Sequence, residues 1–359
     1  MSKKEFNIWM VRAGSGSFLL EEFLEKEIIA IGWNELGAIA PKTSNQALRQ
    51  KIITTYDNNN AGQVGQSLGQ LWRFYHDFKI GDKVVTYDSS ARKYYLGEII
   101  SGYNFNEKLT YKHARKVRWN EEAVGRDLLK VASKNTLGST LTIFELSKGI
   151  WNDLVSNLKV ASKDKDFMEA TLDEDNEDNV KSSQQNITES NSDDIDDALE
   201  ELRKDVVSKS TEFIKDMIFS LNWEDVELLV AGVLRGMGYK TRLTGKGPDL
   251  GSDIIASTDG LEMVEPIIKV EVKHKKTNRE KIGAPDLRNF IGGLRTPTKG
   301  IYVSTTGFSK DAKIEADRAN YQITLVDLDR LVDLIVEYYE KLDSETKAFV
   351  PLRKIYWPI

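Results

Sequence analysis

The stretch KVEVKHKK, residues 269–276, decides how this sequence is read. It sets Glu271 and Lys273 two residues apart, behind the apolar run PII, in a segment that otherwise alternates as a β-strand does. Residues i and i+2 of a strand project from one face, so the acid and the lysine emerge side by side, while Val270 and Val272 turn the other way into packing. Upstream, GPDLGSDIIA (247–256) carries Gly247, Asp249 and Gly251 in a turn that delivers Asp253 at the start of a second strand. Two carboxylates converging from adjacent strands suit Mg²⁺, which takes hard oxygen ligands and keeps several waters. A lysine beside them can orient or deprotonate an attacking water and steady the charge that develops on a phosphate oxygen. The chemistry expected of such a group is cleavage of a phosphodiester bond.

Outward from this pair, the elements alternate in type. WEDVELLVAGVLRGMGY (223–239) repeats Val226, Leu229, Val230, Val233, Leu234 and Met237 at helical intervals and ends on glycines. DIIAST and IIKVEVKH read as strands around TDG, APDLRNFIGGL as a helix and KGIYVSTT as a strand. SKDAKIEADRAN reads as a helix opening on Ser309, ITLVDLD as a short strand and DLDRLVDLIVEYYEKL as a closing helix. That order predicts an α/β sandwich with helices over a central mixed sheet. The first 160 residues differ: FNIWMVRAG, IIAIGW, KVVTYDS, KYYLGEIISGY, HARKVRW and LTIFEL are short, aromatic-rich strands, with helices at SFLLEEFLEKE and NQALRQKIITTY. They predict a small β-barrel with flanking helices, so the chain combines α+β and α/β parts.

Composition sets limits on both halves. A chain of 359 residues suits two domains of roughly 150 residues each. It has no cysteine and three histidines, which excludes disulfides and thiolate metal sites and leaves carboxylates to hold any metal. No segment offers the ~20 apolar residues of a membrane span, so a soluble cytoplasmic protein is expected. The net charge of −6 is unevenly spread. Residues 164–200 hold 14 acidic against 2 basic side chains, whereas the first 163 residues hold 23 basic against 17 acidic. The acidic run has too little apolar surface to offset chain entropy and reads as a flexible linker over 161–197, between domains at 1–160 and 198–359.

The order of an acid on a helix, Gly-x-Asp and then Glu-x-Lys at a strand end resembles the PD-(D/E)xK nuclease superfamily. Residues 222–338 resemble the Mrr-type catalytic domain of restriction endonucleases throughout, through VELLVAGVLRGMGYKTRLTGKGPDLGSDIIA, VEVKHKK, KGIYVSTTGFSKDAKIEA and ITLVDLDRLVDLI. The resemblance implies Glu227 as the helix acid, Asp253 and Glu271 as ligands of Mg²⁺ or, alternatively, Mn²⁺, and Glu271 with Lys273 as the catalytic pair. Relatives often have glutamine at the position of Glu271, where the carboxylate is the better metal ligand. Thr305 and Thr306 match a Thr-rich turn that would meet a phosphate. His274, Lys275 and Lys276 read as a basic edge, with Lys275 and Lys276 facing DNA.

In the first half, YKHARKVRW contributes Lys112, Arg115, Lys116 and Arg118, basic side chains suited to sequence-independent phosphate contact. IWMVRAG, IAIGW, GDKVVTYDSSARKYYLGEI and HARKVRW resemble the PUA-like barrels, which include EVE domains, over about residues 5–150. That resemblance implies a pocket for a modified or extruded base, with Trp33, Trp9 and Tyr87 as its walls. Together the two halves suggest a modification-dependent restriction endonuclease acting on double-stranded, base-modified DNA in defence against phage. Cutting both strands calls for a homodimer. The alternatives are a non-catalytic nucleic-acid sensor and a repair or RNA-directed nuclease of the same fold.

Overall fold

The computed structural model describes residues 6–56, 61–158, 192–244, 252–275, 280–294 and 298–357. The chain divides into two units, one ending at Lys209 and the other starting at Ser210.

In the first unit the strands β1 (Ile8–Val11), β2 (Ile28–Ile31), β3 (Lys83–Asp88), β4 (Lys93–Ile99), β5 (Asn104–Phe105), β6 (His113–Gly125) and β7 (Ile143–Glu145) form one sheet. Its order is β2-β6-β4-β3-β1-β7, with β5 also paired to β6. β1 runs parallel to β3, and the other pairs are antiparallel. Trp9, Val11 and Val84 pack on the side of α1 (Leu20–Glu25), α2 (Asn45–Thr55) and α3 (Ala61–Trp72). Ile8, Met10, Val85 and Tyr87 pack on the other side, with Leu137 of α4 (Val131–Leu137) and Trp151 and Leu154 of α5 (Lys148–Ser156). Burial on both faces is why these strands read as apolar runs with no polar alternation. The expected small barrel is an open, curled half-barrel, since β2 and β7 each have one neighbour in the sheet order.

The second unit begins within the helix α6 (Ser192–Ser220), which opens inside the span expected to be linker. The rest of the linker expectation, up to residue 191, lies outside the described residues. Then follow α7 (Trp223–Gly236), β8 (Lys240–Leu243), β9 (Ile254–Ser257), β10 (Ile268–Lys273), α8 (Ala284–Gly292) and β11 (Lys299–Ser304). The chain closes with α9 (Lys310–Arg318), β12 (Ile323–Asp327), α10 (Leu328–Tyr338) and α11 (Ser344–Phe349). The sheet order is β12-β11-β10-β9-β8, parallel from β10 to β12 and antiparallel from β8 to β10, so the mixed sheet expected from the sequence is present with β10 at its centre.

Strand alternation sorts this sheet into two packed faces. Val270, Val272 and Val303 join Val226, Leu229, Leu331 and Ile335 of α7 and α10 in one cluster. Tyr302 joins Phe290, Phe308 and Ala312 in the cluster under α8 and α9. Gly232 has a specific reason to lack a side chain, because a Cβ there would overlap the buried Thr346 of α11, so α11 lies directly on α7. Among the described residues, no helix is long and apolar enough to cross a membrane.

Candidate active site

The site is built where β9 begins and β10 ends. The amide of Asp253 donates to the Val270 carbonyl at 2.8 Å, the last rung before β9 begins at Ile254. One rung further, the Asp253 carboxylate takes over the pairing and accepts the amide of Val272 at 2.7 Å. Val272 is buried at 6 % exposure, and its flanking residues, Glu271 and Lys273, share the opposite face. Their side chains are ion-paired through Glu271 Oε1, with Glu271 15 % and Lys273 40 % exposed. The sequence-derived trio of Asp253, Glu271 and Lys273 therefore meets at two neighbouring strand ends.

Glu227 joins them electrostatically from α7, whose first turn is capped by the Asn222 side chain accepting the Asp225 amide at 2.8 Å. Burial, and then the charge of Asp253, push the Glu227 carboxyl up to about 7, with Glu224 and Glu271 adding to the rise and Lys273 opposing it. Glu271 is raised by burial and by Asp253, against the hydrogen bond and charge of Lys273. For Lys273, burial works to lower the pKa, but the hydrogen bond to Glu271 and the charges of Glu271, Asp253 and Glu227 outweigh it and leave it raised. Three acids and one ammonium thus share one field, and the ammonium is held protonated.

His274 is a strut in this structure. One ring nitrogen lies 3.0 Å from Thr305 Oγ1 and the other 3.0 Å from the Leu221 carbonyl, and Phe219 sits edge-on to the ring at 5.4 Å. These contacts tie the end of β10 to the start of β11's exit turn and to the α6–α7 junction. Thr305 and Thr306 do not present hydroxyls to a phosphate: both are 2 % exposed, Thr305 faces His274 and the Lys273 carbonyl, and Thr306 donates to the Glu280 carbonyl at 3.0 Å. Lys275 is half-buried, and Lys276 and the Gly247–Gly251 turn lie outside the described residues.

One residue that sequence reasoning missed is Tyr302. It stands opposite Glu271 in the parallel β10–β11 register, is 1 % exposed, and has its phenol pKa raised by burial and then by Glu271, Asp286 and Asp253. An open surface cleft of about 570 Å³ lies elsewhere, at the starts of α8 and α9, lined by Gly283, Pro285, Arg288, Ser309, Glu315 and Arg318 among others. None of the site residues contributes to it. Among the described residues, no cluster of three or more His, Cys, Asp or Glu side chains forms a metal cage.

In the first unit the structure separates surface residues from core. Lys116 and Arg118 are exposed on β6, where Lys116 Nζ donates to the Lys26 carbonyl at 3.0 Å and Arg118 pairs with Glu98 at 3.3 Å. Lys112 is half-buried, and its amide donates to Asn34 Oδ1 at 2.9 Å. Arg115 faces inward at 4 % exposure and donates to the carbonyls of Phe74, Tyr75 and Ser101, so it is a core residue and not a DNA contact. Burial brings its pKa down to about 10. Trp9 and Tyr87, each 4 % exposed, belong to the core clusters: Trp9 donates to Asp82 and stacks on Phe78 at 4.5 Å, and Tyr87 stacks on Tyr94 at 4.5 Å. Trp33 stays half-buried, in a left-handed conformation at φ 63°. Nearby, the exposed Phe18 meets Tyr111 edge-to-face at 5.7 Å, and the Asn34 side chain bonds the 110–112 segment on both sides.

Comparison with known proteins adds the following. Residues 218–335 match the restriction endonuclease family model of the Mrr catalytic type, bearing out the resemblance drawn from the sequence for this part of the chain. Residues 9–147 match a domain of unknown function, DUF8426. A search of curated proteins finds no match. Among solved structures, the MspJI restriction endonuclease in complex with a 27-mer oligonucleotide aligns at 14 % identity with a TM-score of 0.26, covering 80 % of this chain and 69 % of that one. The DNA modification-dependent restriction endonuclease AspBHI aligns at 15 % identity with a TM-score of 0.32, covering 90 % and 78 %.

Proposed function

We propose that this chain is a modification-dependent restriction endonuclease, in which the N-terminal half reads double-stranded, base-modified DNA and the C-terminal half hydrolyses its phosphodiester bonds. The observation that carries the reading is the meeting of Asp253, Glu271 and Lys273 at the ends of two bonded strands, within a domain that matches the restriction endonuclease model.

The donor set fits a hard divalent cation. Asp253 commits Oδ2 to the Val272 amide and Glu271 commits Oε1 to Lys273, which leaves each carboxylate a second oxygen. Glu227 and Glu271 are raised first by burial and then by the charge of Asp253, and a cation would relieve the second of these. Asp253 and Glu271 would hold Mg²⁺ or Mn²⁺, which when bound polarises a phosphoryl oxygen and acidifies a water. Lys273, ion-paired to Glu271, would orient the attacking water and offset charge on the phosphate. Lys116 and Arg118 would supply phosphate contacts in the reader, and Trp33, beside Phe18 and Tyr111, is the remaining candidate for stacking on a base. A homodimer would bring two such sites to the two strands.

The test is to incubate the purified chain with base-modified DNA, unmodified DNA and RNA, with and without Mg²⁺. Cleavage confined to modified DNA and dependent on the cation is expected. Cleavage of all DNA alike would remove the modification-reading half of the proposal, and no cleavage of any substrate would leave a non-catalytic sensor.

A further inference from the structure

Glu271 is held in this structure by Lys273, yet the chemistry proposed for Lys273 requires its ammonium to face the substrate. A carboxylate that holds a cation through one oxygen is kept in position by a hydrogen bond to its other oxygen, and Lys273 gives up that bond when it turns to the substrate. The group placed to supply one is Tyr302. In the parallel β10–β11 ladder Glu271 pairs with Tyr302, so both side chains leave the same face of adjacent strands, about 4.8 Å apart. The ring is fixed by edge-to-face contacts with Phe290 at 5.2 Å and Phe308 at 5.9 Å. The residue is 1 % exposed, and its hydroxyl makes no hydrogen bond among the described residues and is not one of their buried polar atoms left without a partner, so the O–H keeps an opening to solvent.

Resting on the nuclease reading above, we propose that Tyr302 is a positioning residue of the carboxylate site, whose hydroxyl hydrogen-bonds Glu271 when Lys273 turns to the substrate. The other charged groups facing Glu271 are Asp253 at the start of β9, Lys273 on its own strand and Glu227 on α7, with Asp286 of α8 also facing the phenol; none of the three acids can donate when ionised. Tyrosine at 302 thus adds an uncharged donor beside the ammonium of Lys273.

The experiment compares wild type, Tyr302→Phe and Lys273→Ala on one modified DNA substrate with Mg²⁺. Tyr302→Phe keeps the ring and its packing, so its thermal midpoint should match wild type. Its kcat should fall by about tenfold with KM for DNA within twofold, the pattern of a contact made only in the transition state. Replacing the tyrosines with 3-fluorotyrosine, which retains the hydroxyl, should preserve wild-type kcat. Wild-type kcat in Tyr302→Phe, while Lys273→Ala is inactive, overturns this inference and leaves the nuclease reading standing. If wild type itself cuts no DNA, both fall. A Tyr302→Phe chain with a lowered thermal midpoint and raised KM would mark a packing role, against the proposal.

Discussion

The carboxylate of Asp253 accepts the backbone amide of Val272 at 2.7 Å, so the residue that separates Glu271 from Lys273 is held by the third member of their group. Asparagine can accept the same hydrogen bond through its amide oxygen but is a far weaker cation ligand. Asp253→Asn should therefore keep wild-type stability in urea denaturation while losing Mg²⁺-dependent cleavage. Asp253→Ala should lose both, with stability down by about 1 kcal/mol for the orphaned amide. An asparagine variant that cuts at the wild-type rate would remove Asp253 from the site.

Lys273 is tied to Glu271 and half-exposed, and its ammonium sits in the field of three acids. Lys273→Ala should bind DNA with unchanged affinity in a gel-shift assay and cleave it at least about a hundredfold more slowly. Undiminished cleavage in Mg²⁺ would refute the role.

Glu227 carries a pH signature. Its carboxyl is raised from the ordinary 4.5 to about 7, first by burial and then by Asp253, so between those values the folded chain holds a proton that the unfolded chain has released. Stability falls with rising pH wherever the folded state binds more protons, so this contribution is present below about 4.5 and is lost as pH rises through about 7. Glu227→Gln should consequently gain on wild type in denaturation midpoint between pH 5 and pH 7.5 in metal-free buffer. An equal gap at the two pH values would show that Glu227 is an ordinary solvated acid.

On β6 the basic residues divide by face. Arg115→Ala should cost about 2–4 kcal/mol, because the carbonyls of Phe74 and Tyr75 lose a buried partner and the stem leaves a void against Phe74 and Phe78. Lys116→Ala with Arg118→Ala should leave stability within about 0.5 kcal/mol and weaken DNA binding, lowering the salt slope by about 1 per residue. Chemical denaturation and fluorescence titrations at several salt concentrations check both. Equal destabilisation by the two sets would contradict the facing seen here.

The strand that carries the site was legible because its period-two pattern and its acid–lysine spacing coincide: Ile268, Val270 and Val272 are buried, and Glu271 and Lys273 share the other face. The same alternation places Lys116 and Arg118 on one face of β6 and Arg115 on the other, so the inward arginine could have been found by following the period in place of the charge. Trp9 and Tyr87 pack in core clusters, and an aromatic residue on a strand buried on both sides looks, in sequence, like one that walls a pocket. Tyr302 could not be picked out: KGIYVSTT announces a strand, but only its register with β10 sets position 302 against 271, and register depends on contacts between distant segments. The helix Ala61–Trp72 also went unread, since its three glycines dilute the helical signal despite an apolar stripe at Val64, Leu68 and Leu71.

Main-chain bonds join β9 to β10 right up to the two acids, so the backbones that carry Asp253 and Glu271 are held at ladder spacing, about 4.8 Å. In the proposed site, such a frame would limit how far the two carboxylates can spread around a bound ion. Two acids set by the backbone in this way differ from a pair on loops, which could part or close as a ligand demands.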